Sequence, residues 1–295
     1  MMHVAILGAG TMGHGIAQVS AMAGHDVSLR DIEADIVDDG LTAIESNLEE
    51  GIAREKVTES TAEATIDRLK GTTSLEEAVT GADLVVEAVP EEMAIKHETL
   101  TAVESHVDPA TLIASNTSSL SLTEIASVLD YPERAIGLHF FNPVHIMALV
   151  EIVVAEQTSA ETIARAREFV NGIDKTPVEV ADAPGFASSR LGVSLGVEAM
   201  RMVQEGVATP QDIDTAMELG YNHPMGPIEL GDVVGLDVRL DILEYLRDEL
   251  GERFRPPQIL KRKVRAGKLG KKSGEGFYVW EDGDIVGTSG EWGDA

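Results

Sequence analysis

The sequence of 295 residues lacks cysteine, which excludes disulfides, a cysteine nucleophile and cysteine-ligated metal. It also lacks any apolar run near the ~18 residues that a membrane-spanning helix requires. The opening segment, MMHVAILGAG, has no basic stretch ahead of its apolar run, unlike a signal peptide. We therefore expect a cytoplasmic protein with no membrane partner. No cluster of histidines and acids suggests a metal site, so no metal is expected.

Basic residues are scarce. The chain has 51 Asp and Glu against 23 Lys and Arg, for a net charge of −28. Phosphates would be repelled, so nucleic acid is not an expected partner. Such self-repulsion destabilises a compact state unless salt screens it, and the Debye length falls to about 3 Å at 1 M salt. Because 43% of the residues are hydrophobic, the chain can still bury sizeable cores. The composition indicates the folded protein of a halophile.

One segment reverses this charge balance. Residues 253–272, RFRPPQILKRKVRAGKLGKK, hold nine Lys and Arg residues and no acid. A solvated basic helix face is the commoner explanation for such a run. An attachment point for an acidic surface, such as a second subunit, is the alternative, and the sequence leaves both open.

Short apolar runs alternate with helical stretches through residues 1–183. HVAILGA, HDVSLRD, DLVVEAV, TLIASN, RAIGLHFF, LVEIVVA and TPVEVAD are typical of strands, and a Thr/Ser/Glu-rich break is expected near residues 58–65. This alternation predicts an α/β, Rossmann-type, doubly wound and mainly parallel sheet. Apolar residues then recur at helical spacing, and TPQDIDTAM predicts a capped helix with Pro210 at its first position. Residues 184–295 are therefore predicted to form a smaller all-α domain.

A glycine motif follows the first predicted strand and opens a helix. Its G-x-G-x-x-G residues are Gly8, Gly10 and Gly13. In dinucleotide-binding folds the first glycine permits a tight turn, the second lets a pyrophosphate approach the backbone, and the third lets helix and strand pack closely. Thr11 and Met12 begin the helix, where free N–H groups favour an anion.

Asp31 completes this motif at the end of the second strand, 21 residues after Gly10. Its carboxylate can accept a hydrogen bond from a ribose 2′-hydroxyl and would repel a 2′-phosphate. NAD is therefore favoured over NADP, although the neighbouring Arg30 weakens that preference slightly. A purely structural glycine turn is the alternative, and it fits the strand, helix and acid together less well.

Residues 137–155, GLHFFNPVHIMALVEIVVA, contain two apolar runs with a polar residue in each. If the runs pair as antiparallel strands about a turn centred at residue 145, His139 faces Glu151. A histidine can accept the proton of an alcohol, and a carboxylate on its other nitrogen fixes the tautomer. A buried structural histidine, with Glu151 on a solvated strand face, is an equally good interpretation of these residues alone.

A polar loop, ASNTSSLSLTEI, follows another strand and opens a helix. Asn116, Thr117, Ser118 and Ser119 would lie at the carboxyl end of the sheet, where ligands bind in such folds. We expect these groups to bind a ligand, with Asn116 on the cofactor side. The same residues can also cap the following helix.

These motifs together resemble the L-3-hydroxyacyl-CoA dehydrogenase family over nearly the whole chain. The matching stretches include GAGTMGHGIAQ, ADLVVEAVPE, ASNTSSLSLTEIA, GLHFFNPV, LVEIV, DAPGF, DIDTAMELGYNHPMGPIEL and GKKSGEGFY. The resemblance implies NAD-dependent, reversible oxidation of an L-3-hydroxyacyl-CoA thioester to the 3-oxoacyl-CoA. It implies that His139 is the base, that Glu151 orients it, that Ser118 contacts the substrate's C3 oxygen, and that Asn142 supports the site.

The resemblance also assigns more peripheral roles. Glu91 and Lys96 match positions that touch NAD, and Arg54 falls near a basic position that meets the CoA tail. Ser189 stands where better-known members carry asparagine, so the substrate-side contact there is altered. The helical C-terminal domain is implied to form a homodimer.

Two other functions remain possible at this point. A related NAD-dependent dehydrogenase of a free hydroxy acid or sugar acid, of the L-gulonate type, would use the same scaffold without CoA. A non-catalytic NAD-binding structural protein would need no base, and the His139 and Glu151 arrangement disfavours it.

Overall fold

The computed structural model describes residues 1–290, and the chain divides into two compact units, the first Met1–Ala183 and the second beginning at Pro184. One eight-stranded sheet forms the first unit. Its strands are β1 (His3–Leu7), β2 (Asp26–Arg30), β3 (Leu69–Thr72), β4 (Leu84–Glu87), β5 (Leu112–Ser115), β6 (Ala135–Phe140), β7 (Leu149–Val154) and β8 (Thr176–Ala181). Their order is β3-β2-β1-β4-β5-β6-β7-β8. Only the β6–β7 pair is antiparallel, which confirms the predicted mainly parallel sheet.

The strand order reverses direction at β1. The chain first runs outward from β1 to β2 and β3, and then returns to place β4 on the other side of β1. In doubly wound sheets, ligands bind beyond the carboxyl ends of the strands at such a reversal. The glycine motif follows β1 at that edge.

Seven helices of the first unit follow these strands. They are α1 (Thr11–Met22), α2 (Ala34–Ala53), α3 (Glu59–Ile66), α4 (Leu75–Val79), α5 (Met93–Glu104), α6 (Leu122–Ala126) and α7 (Ala160–Gly172). The break expected near residues 58–65 is wrong, because most of that stretch is α3. Thr58 caps this helix by accepting the Thr61 N–H at 3.1 Å. The Thr/Ser-rich stretch that suggested a loop is therefore the capped start of a helix.

The central strands β4, β5 and β6 are buried along their whole length. A strand covered by helices on both faces has no solvent side, so it consists of a nearly continuous apolar run. The polar residues that interrupt these runs are Glu87, Ser115 and His139, each at or near a carboxyl end. Burial of polar groups demands hydrogen-bonding partners, and those partners define the site described below.

The second unit is mainly helical. Its helices are α8 (Ser188–Glu205), α9 (Pro210–Tyr221), α10 (Pro227–Val234), α11 (Leu236–Leu250) and α12 (Gln258–Arg265). The capped start predicted at Pro210 is confirmed, since Thr209 accepts the Asp212 N–H at 3.1 Å. The predicted helical character of this domain is confirmed, with one addition: β9 (Tyr278–Glu281) and β10 (Asp284–Thr288) form an antiparallel hairpin. Residues 291–295 of the predicted domain lie outside the described residues.

The hairpin has an identifiable sequence origin. Asp282 and Gly283 join its strands with φ values of +50° and +91°. A two-residue Asp-Gly turn with both residues at positive φ is a strong hairpin signal. The buried Asp232 carboxylate of α10 then accepts the N–H groups of Phe277 and Tyr278, both at 2.9 Å, which fixes the hairpin on the helical unit.

The basic segment 253–272 supplies cations to acids of its own unit. Lys261 lies 2.9 Å from Glu244, and Lys272 lies 2.6 Å from Asp237. These pairs fit the interpretation as a solvated basic face, and attachment of a second subunit stays a prediction. Across residues 1–290, no helix combines the length and apolarity that crossing a bilayer would demand.

Candidate active site

The three glycines of the nucleotide motif meet different steric demands. Gly8 has φ +100°, and a Cβ there would lie 2.4 Å from the Ala88 carbonyl oxygen. At Gly13 a Cβ would lie 1.7 Å from the carbonyl oxygen of Gly8. A Cβ at Gly10 would have no atom within 4 Å beyond its own chain neighbours. Gly8 and Gly13 are therefore required by the protein's own packing, whereas the space beside Gly10 is open to a ligand.

The start of α1 faces the same space. Its N-cap residue is Gly10, which provides no side-chain cap, so the N–H groups of Thr11 and Met12 are directed at this end of the helix. Asp31, at the end of β2, accepts the N–H of Ala9 at 2.8 Å and so lies against the glycine turn. A helix N-terminus, an open glycine backbone and an adjacent carboxylate fit the pyrophosphate and ribose of a dinucleotide.

A buried ion pair lies at the carboxyl end of β4. Glu87 is 0% exposed and Lys96, on α5, is 1% exposed, and the Lys96 Nζ lies 2.7 Å from Glu87 Oε1. The same carboxylate accepts the Val89 N–H at 2.8 Å and the Ser115 hydroxyl at 2.6 Å. Sequence reasoning missed Glu87, although a carboxylate ending the apolar run DLVVE was the available signal.

Glu91 connects this ion pair to the polar loop. Its Oε2 lies 3.2 Å from Lys96 Nζ. Its Oε1 accepts the Thr117 hydroxyl at 2.7 Å and the N–H groups of Ser118 and Ser119 at 2.9 and 3.1 Å. Burial acts to raise the pKa of Glu91, but Lys96 and these hydrogen bonds outweigh it and hold the pKa below its usual value. An ionised Glu91 therefore shapes the loop, and Lys96 meets the site through this carboxylate.

Asn116 connects the loop to the strand that carries His139. Its side-chain Oδ1 accepts the N–H of Phe140 at 2.9 Å, and its own N–H donates to the Glu87 carbonyl at 2.8 Å. Ser118 lies two residues further on and is exposed at the loop surface. The loop therefore presents its hydroxyl groups at the same sheet edge as the glycine turn.

His139 and Glu151 are directly opposite one another on β6 and β7. The His139 Nδ1 lies 2.8 Å from Glu151 Oε2. Glu151 is 1% exposed and His139 is 6% exposed. A carboxylate can only accept, so Nδ1 donates, and the neutral imidazole carries its accepting lone pair on Nε2. The pair has the geometry of a general base held in one tautomer by a buried acid.

Comparison with known protein families covers both units. Residues 3–183 match the model of the 3-hydroxyacyl-CoA dehydrogenase NAD-binding domain, and residues 185–280 match the model of that family's C-terminal domain. The chain belongs to the 3-hydroxyacyl-CoA dehydrogenase family.

Individual members of this family align along nearly their full length. A probable 3-hydroxybutyryl-CoA dehydrogenase of Bacillus subtilis is 44% identical over 95% of this chain and 97% of its own. The mitochondrial hydroxyacyl-coenzyme A dehydrogenase of Rattus norvegicus is 41% identical over 95% of this chain and 91% of its own. The crystal structure of (S)-3-hydroxybutyryl-CoA dehydrogenase from Ralstonia eutropha superposes with a TM-score of 0.92 at 40% identity, covering 96% of this chain and 100% of that one.

The remaining residues suggested by the family resemblance are more exposed. Asn142 lies on the surface of the turn between β6 and β7, one residue after Phe141, whose ring centroid is 4.5 Å from that of His139. Arg54 follows the end of α2 with its side chain 69% exposed and paired with Glu50. Ser189 lies in the first turn of α8, in the second unit.

Proposed function

We propose that the protein oxidises L-3-hydroxyacyl-CoA to 3-oxoacyl-CoA reversibly with NAD, using His139 as the base and Glu151 as its orienting acid. The observation that carries this proposal is the 2.8 Å contact between His139 Nδ1 and the buried Glu151 carboxylate. Membership of the family and the names of its members, which act on hydroxybutyryl-CoA and hydroxyacyl-CoA, support the choice of substrate.

The proton steps follow from the tautomer. During oxidation the proton of the substrate's C3 hydroxyl passes to His139 Nε2, and the resulting imidazolium is stabilised by the Glu151 carboxylate on Nδ1. During reduction the same imidazolium returns the proton to the forming alkoxide. Because Glu151 is buried, water does not compete for its contact with the imidazole.

The residues at the glycine turn suit NAD. The helix N-terminus at Gly10, Thr11 and Met12 would bind the pyrophosphate, and Asp31 would accept from a ribose hydroxyl. When bound, NAD supplies the acceptor for the hydride that leaves C3. Asn116 joins the polar loop to Phe140, the residue after His139 on β6, which supports binding of the cofactor at the same sheet edge as the base.

Ser118 and Asn142 are proposed to contact the reacting end of the substrate. Ser118 receives its position from Glu91, whose Oε1 accepts its backbone N–H at 2.9 Å and its hydroxyl at 3.4 Å, at the exposed loop surface. Arg54 and Ser189 are proposed to contact the CoA portion and the acyl portion respectively. The exposure of Arg54 suits a phosphate contact, since Arg binds phosphate in a bidentate manner.

The direct test is an NADH absorbance assay in high salt across CoA thioesters of graded acyl length. Acetoacetyl-CoA should be turned over, and L-gulonate should not. His139→Ala should lower kcat by roughly 100-fold or more, as expected for loss of a general base. Near-normal turnover by that variant would reject the mechanism, and equal turnover of L-gulonate would reject the substrate class.

A homodimer through the second unit is also proposed. Large apolar side chains are exposed on two of its helices: Leu219 and Tyr221 on α9 at 83% and 75%, and Val233 and Val234 on α10 at 41% and 39%. Exposed apolar groups in such numbers suit a subunit interface. Light scattering should give about twice the 31.5 kDa chain mass, and Leu219→Asp combined with Tyr221→Asp should reduce it to one chain. A monomeric wild type would contradict this proposal.

We also propose that the protein functions in concentrated salt. The net charge is −28, and four glutamates line one groove between α2 and α3, namely Glu45, Glu49, Glu59 and Glu63. Salt reduces the repulsion among such groups, so Tm should rise when KCl increases from about 0.1 M to about 2 M. An unchanged Tm over that range would contradict adaptation to salt.

A further inference from the structure

Lys175 lies in the three-residue connection between α7 and β8, and its backbone position is fixed. Its N–H donates to the Val170 carbonyl at 3.1 Å, while the N–H of Asp174 donates to the Asn171 carbonyl at 3.2 Å. Asp174 has φ +58°. A left-handed residue flanked by these two hydrogen bonds is a Schellman helix end, which determines where the following residue starts. The Lys175 side chain therefore projects from a rigid point.

The ammonium of Lys175 holds the turn between β6 and β7, here called the catalytic turn (residues 141–148). Its Nζ donates to the Val144 carbonyl at 2.7 Å and to the Met147 carbonyl at 2.8 Å. Burial lowers the pKa of Lys175 and outweighs the opposing effect of Asp174. Both hydrogen-bond acceptors are main-chain carbonyls of one turn, so these bonds fix its backbone shape.

The opposite side of the catalytic turn is held by the nucleotide-binding helix. Val144 is 2% exposed and belongs to the main core. A Cβ at Gly15 of α1 would lie 2.8 Å from the Val144 Cβ, so helix and turn touch closely. The catalytic turn is thus held between α1 and the Lys175 ammonium.

The catalytic turn carries two groups next to the base. The Phe141 ring contacts the His139 ring, and Asn142 follows immediately. His139 and Glu151 are held by the strand pairing of β6 and β7 and do not need the turn for their own contact. A shift of the turn would therefore displace Asn142 and the Phe141 ring relative to a His139–Glu151 pair that stays in place.

We infer that Lys175 is a positioning residue for the reaction, acting through the catalytic turn on Asn142. The inference rests on the proposed function, since it assigns Lys175 to the same site. A misplacement of ~1 Å in a positioned group can cost about 100-fold in rate, so the backbone shape of this turn has a kinetic consequence.

The test compares Lys175→Met, which removes both hydrogen bonds, with Lys175→Arg, which keeps a cationic donor. Lys70→Met on edge strand β3 is the matched control, because it loses an exposed ion pair with Glu77 on the far side of the sheet. Lys175→Met should lower kcat by about 10-fold or more at an unchanged dissociation constant for NADH. Lys175→Arg should recover most of the loss, and Lys70→Met should match the wild type.

A double-mutant cycle with Asn142→Ala separates positioning from general weakening of the fold. If Lys175 acts through Asn142, the Lys175→Met change should cost little in the Asn142→Ala background. If the kcat losses of the two single variants multiply in the double variant, the inference is overturned. A kcat loss in Lys175→Met that accompanies a lower Tm, and that Lys175→Arg does not restore, would also overturn it. If the wild type turns over the substrate and Lys175→Met has an unchanged kcat, this inference is overturned and the proposed function stands. An inactive wild type would overturn the proposed function and the inference with it.

Discussion

Removing the charge of Lys96 should strongly destabilise the first unit. The Lys96 ammonium and the Glu87 carboxylate are 1% and 0% exposed and lie 2.7 Å apart. At an effective dielectric constant of about 20, two unit charges at that distance attract by about 6 kcal/mol. Most of this attraction offsets the cost of removing both groups from water. In Lys96→Met the carboxylate would remain buried without its cation, a situation that costs about 3–5 kcal/mol.

The measurement is urea unfolding in molar KCl. Unfolding of the first unit is followed through the loss of NADH binding. Lys96→Met should lower the free energy of unfolding by about 3–5 kcal/mol. The double variant Glu87→Gln with Lys96→Met removes both charges and should recover at least half of that loss. The amide oxygen can still accept the Val89 N–H in place of Oε1, and the amide nitrogen, in place of Oε2, can donate to the Ser115 hydroxyl oxygen. If Lys96→Met lies within about 1 kcal/mol of wild type, or if the double variant is no more stable than Lys96→Met, an unpaired Glu87 charge is not what destabilises the unit.

Variants of the glycine motif, of Asp31 and of Glu104 test nucleotide binding and the stability of the protein at low pH. Gly10→Ala should fold with a Tm near the wild-type value but bind NADH at least about 10-fold more weakly. Gly13→Ala should lower the free energy of unfolding by about 1–3 kcal/mol, because its Cβ clashes with the Gly8 carbonyl, and thermal melts of both variants check this. Asp31→Ala should reduce the preference for NADH over NADPH by about 10-fold in titrations, because a charged hydrogen bond and a repulsion are both removed. Burial acts to raise the pKa of Glu104, but hydrogen bonds from Asp130 and Arg134 hold the pKa below its usual value. The stabilisation from Glu104 is therefore full above about pH 4.5 and is lost as the pH falls through the lowered pKa. In Glu104→Gln the urea midpoint should fall less steeply with decreasing pH than in the wild type.

The facing of His139 and Glu151 could be predicted because antiparallel pairing depends only on where the turn is centred. A centre at residue 145 sets the register, and the register in the structure pairs the two residues directly. The glycine motif was equally predictable, because its spacing is set within one β-turn-α unit, where Gly13 packs on the Gly8 carbonyl. The contact of Gly8 with Ala88, immediately after β4, is an additional demand that the motif alone does not reveal. Local geometry carries such predictions without any knowledge of the rest of the fold.

Other parts depend on contacts that the sequence pattern does not reveal. Glu87 and Lys96 are nine residues apart on a strand and a helix, and each resembles a surface residue until burial of both is known. Lys175 meets Val144 only because α7 returns the chain to the start of β7, where β8 begins its parallel pairing at Thr176. The β9–β10 hairpin was missed because its turn is only part of what stabilises it. The buried Asp232 carboxylate, on a helix distant in sequence, also fixes the hairpin by accepting the Phe277 N–H.

His139 and Glu151 are proposed to act as one unit, and a double-mutant cycle on kcat measures their coupling. His139→Ala, Glu151→Gln and the double variant would be measured for acetoacetyl-CoA reduction in high salt. Residues that work as a unit show strongly non-additive losses, so the double variant should be about as slow as His139→Ala alone. Independent losses that multiply in the double variant, or a Glu151→Gln enzyme within about twofold of wild type, would show that Glu151 does not act through His139.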